Sequence, residues 1–137
     1  GKYLELLTAL LTAAGTPDAA ARAKAVLDYE TKVARVHWTQ TDSRDATKTY
    51  NLLSLAQLAK RAPGFDFKRY LNDSRVNFDE VIVAQPSAVT GIARLIAATP
   101  LQVLKDQLTV RSISAFGAVL PASIDKTVFD FYGTALS

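Results

Sequence analysis

Thr16 to Val36 reads TPDAAARAKAVLDYETKVARV, and this stretch decides the fold class. Thr16 has the short hydroxyl side chain of a helix cap, Pro17 suits a first helical turn, and Asp18 sets a carboxylate near the positive amino end. Val26, Tyr29, Val33 and Val36 recur at three- and four-residue spacing, while Lys24, Asp28, Lys32 and Arg35 fall on the other side. An amphipathic helix of this length needs other helices to cover its apolar face.

The flanking segments supply them. Upstream, Leu4, Leu7 and Leu11, with Leu6 and Leu10 beside them, keep helical spacing until Gly15, a residue suited to the left-handed position after a helix end. Downstream, Thr39 to Asn51 is polar and lacks a sustained period, so it reads as a connection with about one helical turn. Ser54 caps a short run containing Leu55 and Leu58, which Pro63-Gly64 terminates, and Phe65, Phe67, Tyr70 and Leu71 form another short amphipathic piece. Val81-Ile82-Val83 is the β-branched run, predicting at most one short extended strand near 81–83. Pro86 opens a helix carrying Val89, Ile92, Leu95 and Ile96. Thr99-Pro100 opens the next, whose Leu101, Leu104, Leu108, Val103, Val110, Ile113 and Phe116 predict a helix at the centre. Pro121 and Ser123 precede a last helix with Ile124, Val128, Phe129 and Tyr132, and Gly133 is placed to end it. The expectation is a mainly α protein, a multi-helix orthogonal bundle over residues 1–137 as a single helical domain.

Composition narrows the function. At 137 residues the chain can bury a substantial core without staples. It has no Cys, which excludes disulfides, thiolate metal sites and Cys nucleophiles. A net charge of +3, spread along the chain, gives no basic stripe for a phosphate backbone, so no nucleic-acid partner is expected. No run approaches the roughly 18 apolar residues of a membrane span. Gly1 meets a helical pattern at once and suits the edge of an excised piece, in which case a targeting segment lies outside it.

The residues offer little catalytic chemistry. His37 is the one histidine, too few for a three-ligand zinc site, and no Ser stands in a nucleophile-elbow sequence to make a triad with it. Its expected role is packing, partly buried, at the helix end. The candidate carboxylate pairs are Asp28 with Glu30, Asp42 with Asp45, and Asp79 with Glu80. Of these only Glu30 borders an apolar face, and its expected role is an ion pair with Arg94 or Arg111. Gly64, Gly91, Gly117 and Gly133 are isolated and form no phosphate-cradling loop. Phe65, Phe67, Tyr70 and Phe78, interleaved with Lys68 and Arg69, have the look of a base-stacking set, but aromatics at this spacing are expected in the core. No catalytic, cofactor-binding or metal-binding residue is assigned.

The order of segments carries more. Tyr29-Glu30-Thr31-Lys32-Val33-Ala34, then Arg44 through Tyr50-Asn51-Leu52 into Leu55-Ala56-Gln57-Leu58, then Ala62-Pro63-Gly64-Phe65-Asp66-Phe67, Val81-Ile82-Val83-Ala84-Gln85-Pro86, and Phe131-Tyr132-Gly133-Thr134-Ala135-Leu136-Ser137 follow one another along the chain. In that order they resemble the N-terminal, non-catalytic region of the neprilysin family of zinc metalloendopeptidases, closest to its bacterial oligopeptidase-like members. The resemblance implies a two-lobed enzyme in which a helical lobe caps the catalytic lobe and encloses a chamber that admits peptides of limited size. It implies that this chain is a fragment of the capping lobe, with zinc in the missing catalytic lobe and a periplasmic or secreted location. The family's zinc motif, His-Glu-x-x-His with a later Glu-x-x-x-Asp, does not occur here, nor does its substrate-backbone motif of Asn-Ala and an aromatic pair. The expected partners are that catalytic lobe and the peptide substrates of the parent, with a dimer conceivable through an apolar face left uncovered. Arg44, Lys48, Arg69 and Arg94 are candidate contacts to peptide carboxylates, against the more ordinary reading of solvated surface. The alternative function is a free-standing helical interaction module. An independent hydrolase fails for want of a usable His, Cys or metal constellation.

Overall fold

A computed structural model describes residues 1–135. Among them are nine α-helices: α1 Lys2–Ala13, α2 Ala19–Val36, α3 Gln40–Arg44, α4 Ala46–Thr49, α5 Leu55–Arg61, α6 Phe67–Asp73, α7 Pro86–Ala98, α8 Leu101–Ala115 and α9 Ala122–Phe129. A 3-10 turn, Gly117–Val119, precedes α9, and a π-helical segment, Asp130–Ala135, follows it. Two three-residue strands, β1 Leu52–Ser54 and β2 Glu80–Ile82, pair antiparallel, with Leu53 opposite Val81. The protein is mainly α, as expected. The strand anticipated near 81–83 is β2, and its partner β1 sits where the sequence showed only the approach to the Ser54 cap. The chain divides into two compact units, one of residues 1–30 with those from Thr99 on, the other Thr31–Ala98.

In the first unit the α1–α2 corner follows from its residues. Gly15 adopts φ +72, its N–H donates to Thr12 O, and Thr16 N–H donates to Leu11 O, the paired bonds that satisfy the last carbonyls of a helix. Pro17 and Asp18 then form a turn in which Asp18 takes φ +51, and α2 starts at Ala19, later than the Thr16 cap predicted. The core gathers Leu6, Leu7, Leu10 and Leu11 of α1, Ala23 and Val26 of α2, and Val110 of α8, with Ile113, Ile124, Val128 and Phe131 against them. Only one side of α8 is buried: Leu101 and Leu108 are 65% and 66% exposed, so this helix is not the enclosed central element its composition suggested.

The second unit is smaller in its apolar content. Leu53, Leu58 and Val83 form its core, with Phe67, Val81 and Val89 packed on them. Ser54 and Gln57 make a reciprocal capping box at α5: Ser54 Oγ accepts from Gln57 N–H at 3.3 Å, and Gln57 Oε1 accepts from Ser54 N–H at 2.8 Å. Gly91 of α7 lies so close to Val36 that an added Cβ would stand 2.9 Å from the valine Cβ. Among the described residues no single helix is long and apolar enough to cross a membrane.

Candidate functional site

Three helices of the first unit converge on Glu30. Its side chain is 13% exposed, near the end of the buried stretch of α2. Tyr3, in the first turn of α1, donates its hydroxyl hydrogen to Glu30 Oε2, and Arg111 of α8 brings Nη2 to 3.1 Å from Oε1. That approach is within ion-pair reach but off hydrogen-bond alignment, so Oε1 is buried without a hydrogen bond. Burial, the Glu30 hydrogen bond and the Glu30 charge all push the Tyr3 phenol above its ordinary value of 10.0. The Tyr3 ring also packs against Phe131 with centroids 5.6 Å apart. Of the two arginines proposed for Glu30, Arg111 is therefore the partner, and Arg94 lies exposed on α7.

A second polar cluster crosses from α2 to α8. Asp106 is 4% exposed and accepts from Arg22 Nε at 2.8 Å and Arg22 Nη2 at 2.5 Å, with Gln102 Nε2 adding a bond at 3.0 Å. Arg22's hydrogen bonds hold the Asp106 carboxyl below its usual range, burial opposes them, and Gln102 assists. Both clusters fasten helices together.

The other carboxylate candidates stand apart. Asp45 caps α4, accepting from Thr47 N–H at 2.9 Å and from the Thr47 hydroxyl at 2.6 Å, which lowers its carboxyl pKa. Asp42 is lowered by the Lys48 ammonium 2.8 Å away and by the Thr39 hydroxyl. These shifts hold both groups ionised, the opposite of what a proton donor requires. Asp28, Asp79 and Glu80 are exposed, and so is His37, which was expected to be partly buried. Among the described residues no group of three His, Cys, Asp or Glu side chains could hold a metal ion. Arg44 is exposed, Lys48 is engaged by Asp42, and Arg69 lies 3.8 Å from Asp73, so these cations sit in surface surroundings.

In the second unit the ordered segments of the sequence meet. Asn51 N–H₂ donates to the carbonyls of Val83 and Lys48 at 3.1 and 2.6 Å, and Val83 N–H donates back to Asn51 O at 2.9 Å. Trp38 N–H reaches Gln85 Oε1 at 3.0 Å, and its indole N–H reaches Ser87 Oγ at 2.6 Å. Sequence reasoning named Asn51 only as part of an ordered segment, without a role, and missed Trp38, Tyr3 and Asp106. The one available signal was a carboxylate, Asp106, at the register of Val103, Val110 and Ile113. The aromatic set is not core as a whole: Phe67 is partly buried, while Phe65, Tyr70 and Phe78 are exposed. Phe65 and Phe67, 4.5 Å apart, line a shallow apolar groove of about 200 Å³ with Ile92 and Ile96.

The N-terminal model of peptidase family M13 matches residues 1–137. Two solved structures of the zinc metalloprotease Zmp1 of Mycobacterium tuberculosis are similar, one by cryo-electron microscopy in an open state and one a crystal structure with an inhibitor. Both give a TM-score of 0.87, at 28% and 26% identity respectively. Each similarity covers 98% of this chain and 22% of the Zmp1 chain, so the sequence spans under a quarter of the length of those proteins. No curated protein matches the sequence. With the family match running through every residue and the fold shared with Zmp1, this chain belongs to peptidase family M13, the neprilysin-like family its ordered segments resemble.

Proposed function

We propose that this chain is a non-catalytic part of a neprilysin-like zinc metalloendopeptidase, in the helical lobe that helps to enclose the active-site chamber and limits substrate size. The carrying observation is the family match over residues 1–137. The zinc would be held by residues of the catalytic lobe, since the donor set here does not fit it: the one imidazole, His37, is exposed, and no cluster of three ligand side chains exists among the described residues. What these residues contribute is mechanical. The Tyr3–Glu30–Arg111 and Arg22–Asp106 contacts lock α1, α2 and α8 of the first unit, and the Asn51–Val83 clamp fixes the strand pair of the second. Rigid walls are what exclusion by size needs. The partners are the catalytic lobe and peptide substrates.

The test uses the intact product of the gene. It should cleave short fluorogenic peptides, lose that activity with a zinc chelator, regain it with zinc, and leave casein uncut. Absence of zinc-dependent peptide cleavage would overturn the assignment; equal cleavage of casein would overturn the size restriction alone.

A further inference from the structure

Lys and Arg recur along the whole sequence but are densest from Lys60 to Arg75. Five cations against two carboxylates leave residues 60–78 with +3, which is the net charge of the whole chain, so all other residues sum to zero. Lys60, Arg61 and Lys68 are exposed and form no ion pair among the described residues, and Arg69 meets Asp73 only at 3.8 Å with both side chains open to solvent. Apolar surface lies among these cations. Phe65, Tyr70, Val76 and Phe78 are all exposed, Tyr70 by 59%. At about 100° per residue, Phe67, Tyr70 and Leu71 share one side of α6, with Lys68 and Arg69 on its flanks. Lys68 also borders one shallow depression with Val76 and Phe78.

We infer that residues 60–78, the α5–α6 corner and the segment after it, dock on the surface of an anionic lipid bilayer. Unpaired Lys and Arg are drawn to anionic headgroups, and exposed aromatic rings settle at headgroup depth, so the two residue classes together fit that interface. The segment lies on the bilayer without crossing it, since no single helix among the described residues is long and apolar enough to span. The ring geometry favours lipid over nucleic acid. Phe65 packs against Phe67 and Tyr70 at interplanar angles of 57° and 54°, so the rings turn on one another and present no open stacking platform. Insertion among headgroups needs apolar area and no particular ring orientation. The groove beside Phe65 and Phe67 is lined by apolar side chains alone, which suits acyl carbon and gives no side-chain hydrogen bond to a base or a peptide. Such docking is independent of the proposed function, because it needs no catalytic lobe.

The test mixes the intact gene product with sedimentable vesicles, either of phosphatidylcholine alone or of phosphatidylcholine with phosphatidylglycerol, and follows the bound fraction against lipid concentration. At about 1 kcal/mol per basic residue near an anionic surface, a net +3 predicts roughly hundredfold tighter binding to the phosphatidylglycerol vesicles, weakening as salt rises. Combining Lys60→Gln, Arg61→Gln and Lys68→Gln should abolish that preference. Combining Lys2→Gln, Lys24→Gln and Lys105→Gln, at exposed positions of the other unit, should leave most of it. Phe65→Ser with Tyr70→Ser should weaken binding roughly tenfold or more. Every substituted residue is exposed, a preserved melting temperature identifies the variants to be read, and the salt dependence of the unsubstituted protein stands without any of them. No binding to either vesicle, or equal binding to both, overturns the inference. So does equal loss of the preference in the two triple variants, which makes it a property of overall charge, or unchanged binding by the Phe65→Ser, Tyr70→Ser protein. Peptide cleavage in vesicle-free solution decides the proposed function separately.

Discussion

Tyr3→Phe isolates one hydrogen bond at the node that ties α1 to α2. The phenyl ring keeps its place against Phe131, so no cavity opens, and only the hydroxyl that donates to Glu30 Oε2 is lost. The other carboxylate oxygen is buried without a hydrogen bond and has only the Arg111 guanidinium 3.1 Å away. A hydrogen bond to a charged acceptor is worth about 1.5–3 kcal/mol, so the loss should be about 2 kcal/mol. Arg111, 59% exposed, recovers little of that, because an exposed ion pair contributes no more than about 1 kcal/mol. At this chain length about 2 kcal/mol lowers the melting temperature by roughly 8 °C. The pH dependence has a definite sign. The folded Tyr3 pKa lies above its unfolded value of 10.0, so its contribution is full below pH 10 and is lost as the pH rises beyond it toward the folded value. Thermal denaturation followed by circular dichroism, for both proteins between pH 7 and 11, checks this. A gap below about 2 °C at pH 7, or one that widens above pH 10, would refute the reasoning.

Other substitutions separate buried from exposed positions. Leu11→Ala, at 0% exposure in the first core, should cost about 3 kcal/mol in urea denaturation, whereas Leu108→Ala should shift the isolated chain by less than about 0.5 kcal/mol. Gly91→Ala gains about 1 kcal/mol of helix propensity but drives a methyl into Val36 Cβ, which cannot rotate away. Overpacking of about 1–3 kcal/mol wins, and the urea midpoint should fall. Asp106 has its carboxyl pKa depressed in the folded state, so its contribution is present above the unfolded value of 3.8 and lost as the pH falls through the folded one. The stability gap between wild type and Asp106→Asn should close below about pH 4 in acid titrations monitored by tryptophan fluorescence.

What was legible in the sequence was what local rules determine. The α2 period placed Val26 and Tyr29 inward, Gly15 ended α1, Ser54 capped α5, and Glu30 beside an apolar face implied a partner that proved to be Arg111. Strand β1 was not legible, because Leu52-Leu53-Ser54 is too short to show alternation and is extended only through pairing with distant β2. The place of α8 was misread from its amount of apolar surface; which side is covered depends on tertiary contacts, and here Leu101 and Leu108 lie exposed. Asp106 escaped notice because a carboxylate in a buried register makes sense only once Arg22 is seen across from it. His37 and most of the aromatic set turned out exposed, since neighbouring residues in sequence do not determine depth. The family itself was readable because several weak segments kept a common order, and two of them, around Asn51 and Val83, clasp each other in the fold.

The most direct test of the central claim is the reading frame of the source gene beyond the codon for Ser137. The account predicts a continuous frame encoding His-Glu-x-x-His followed by Glu-x-x-x-Asp. A frame that closes without either motif would contradict it and leave a free-standing helical interaction module.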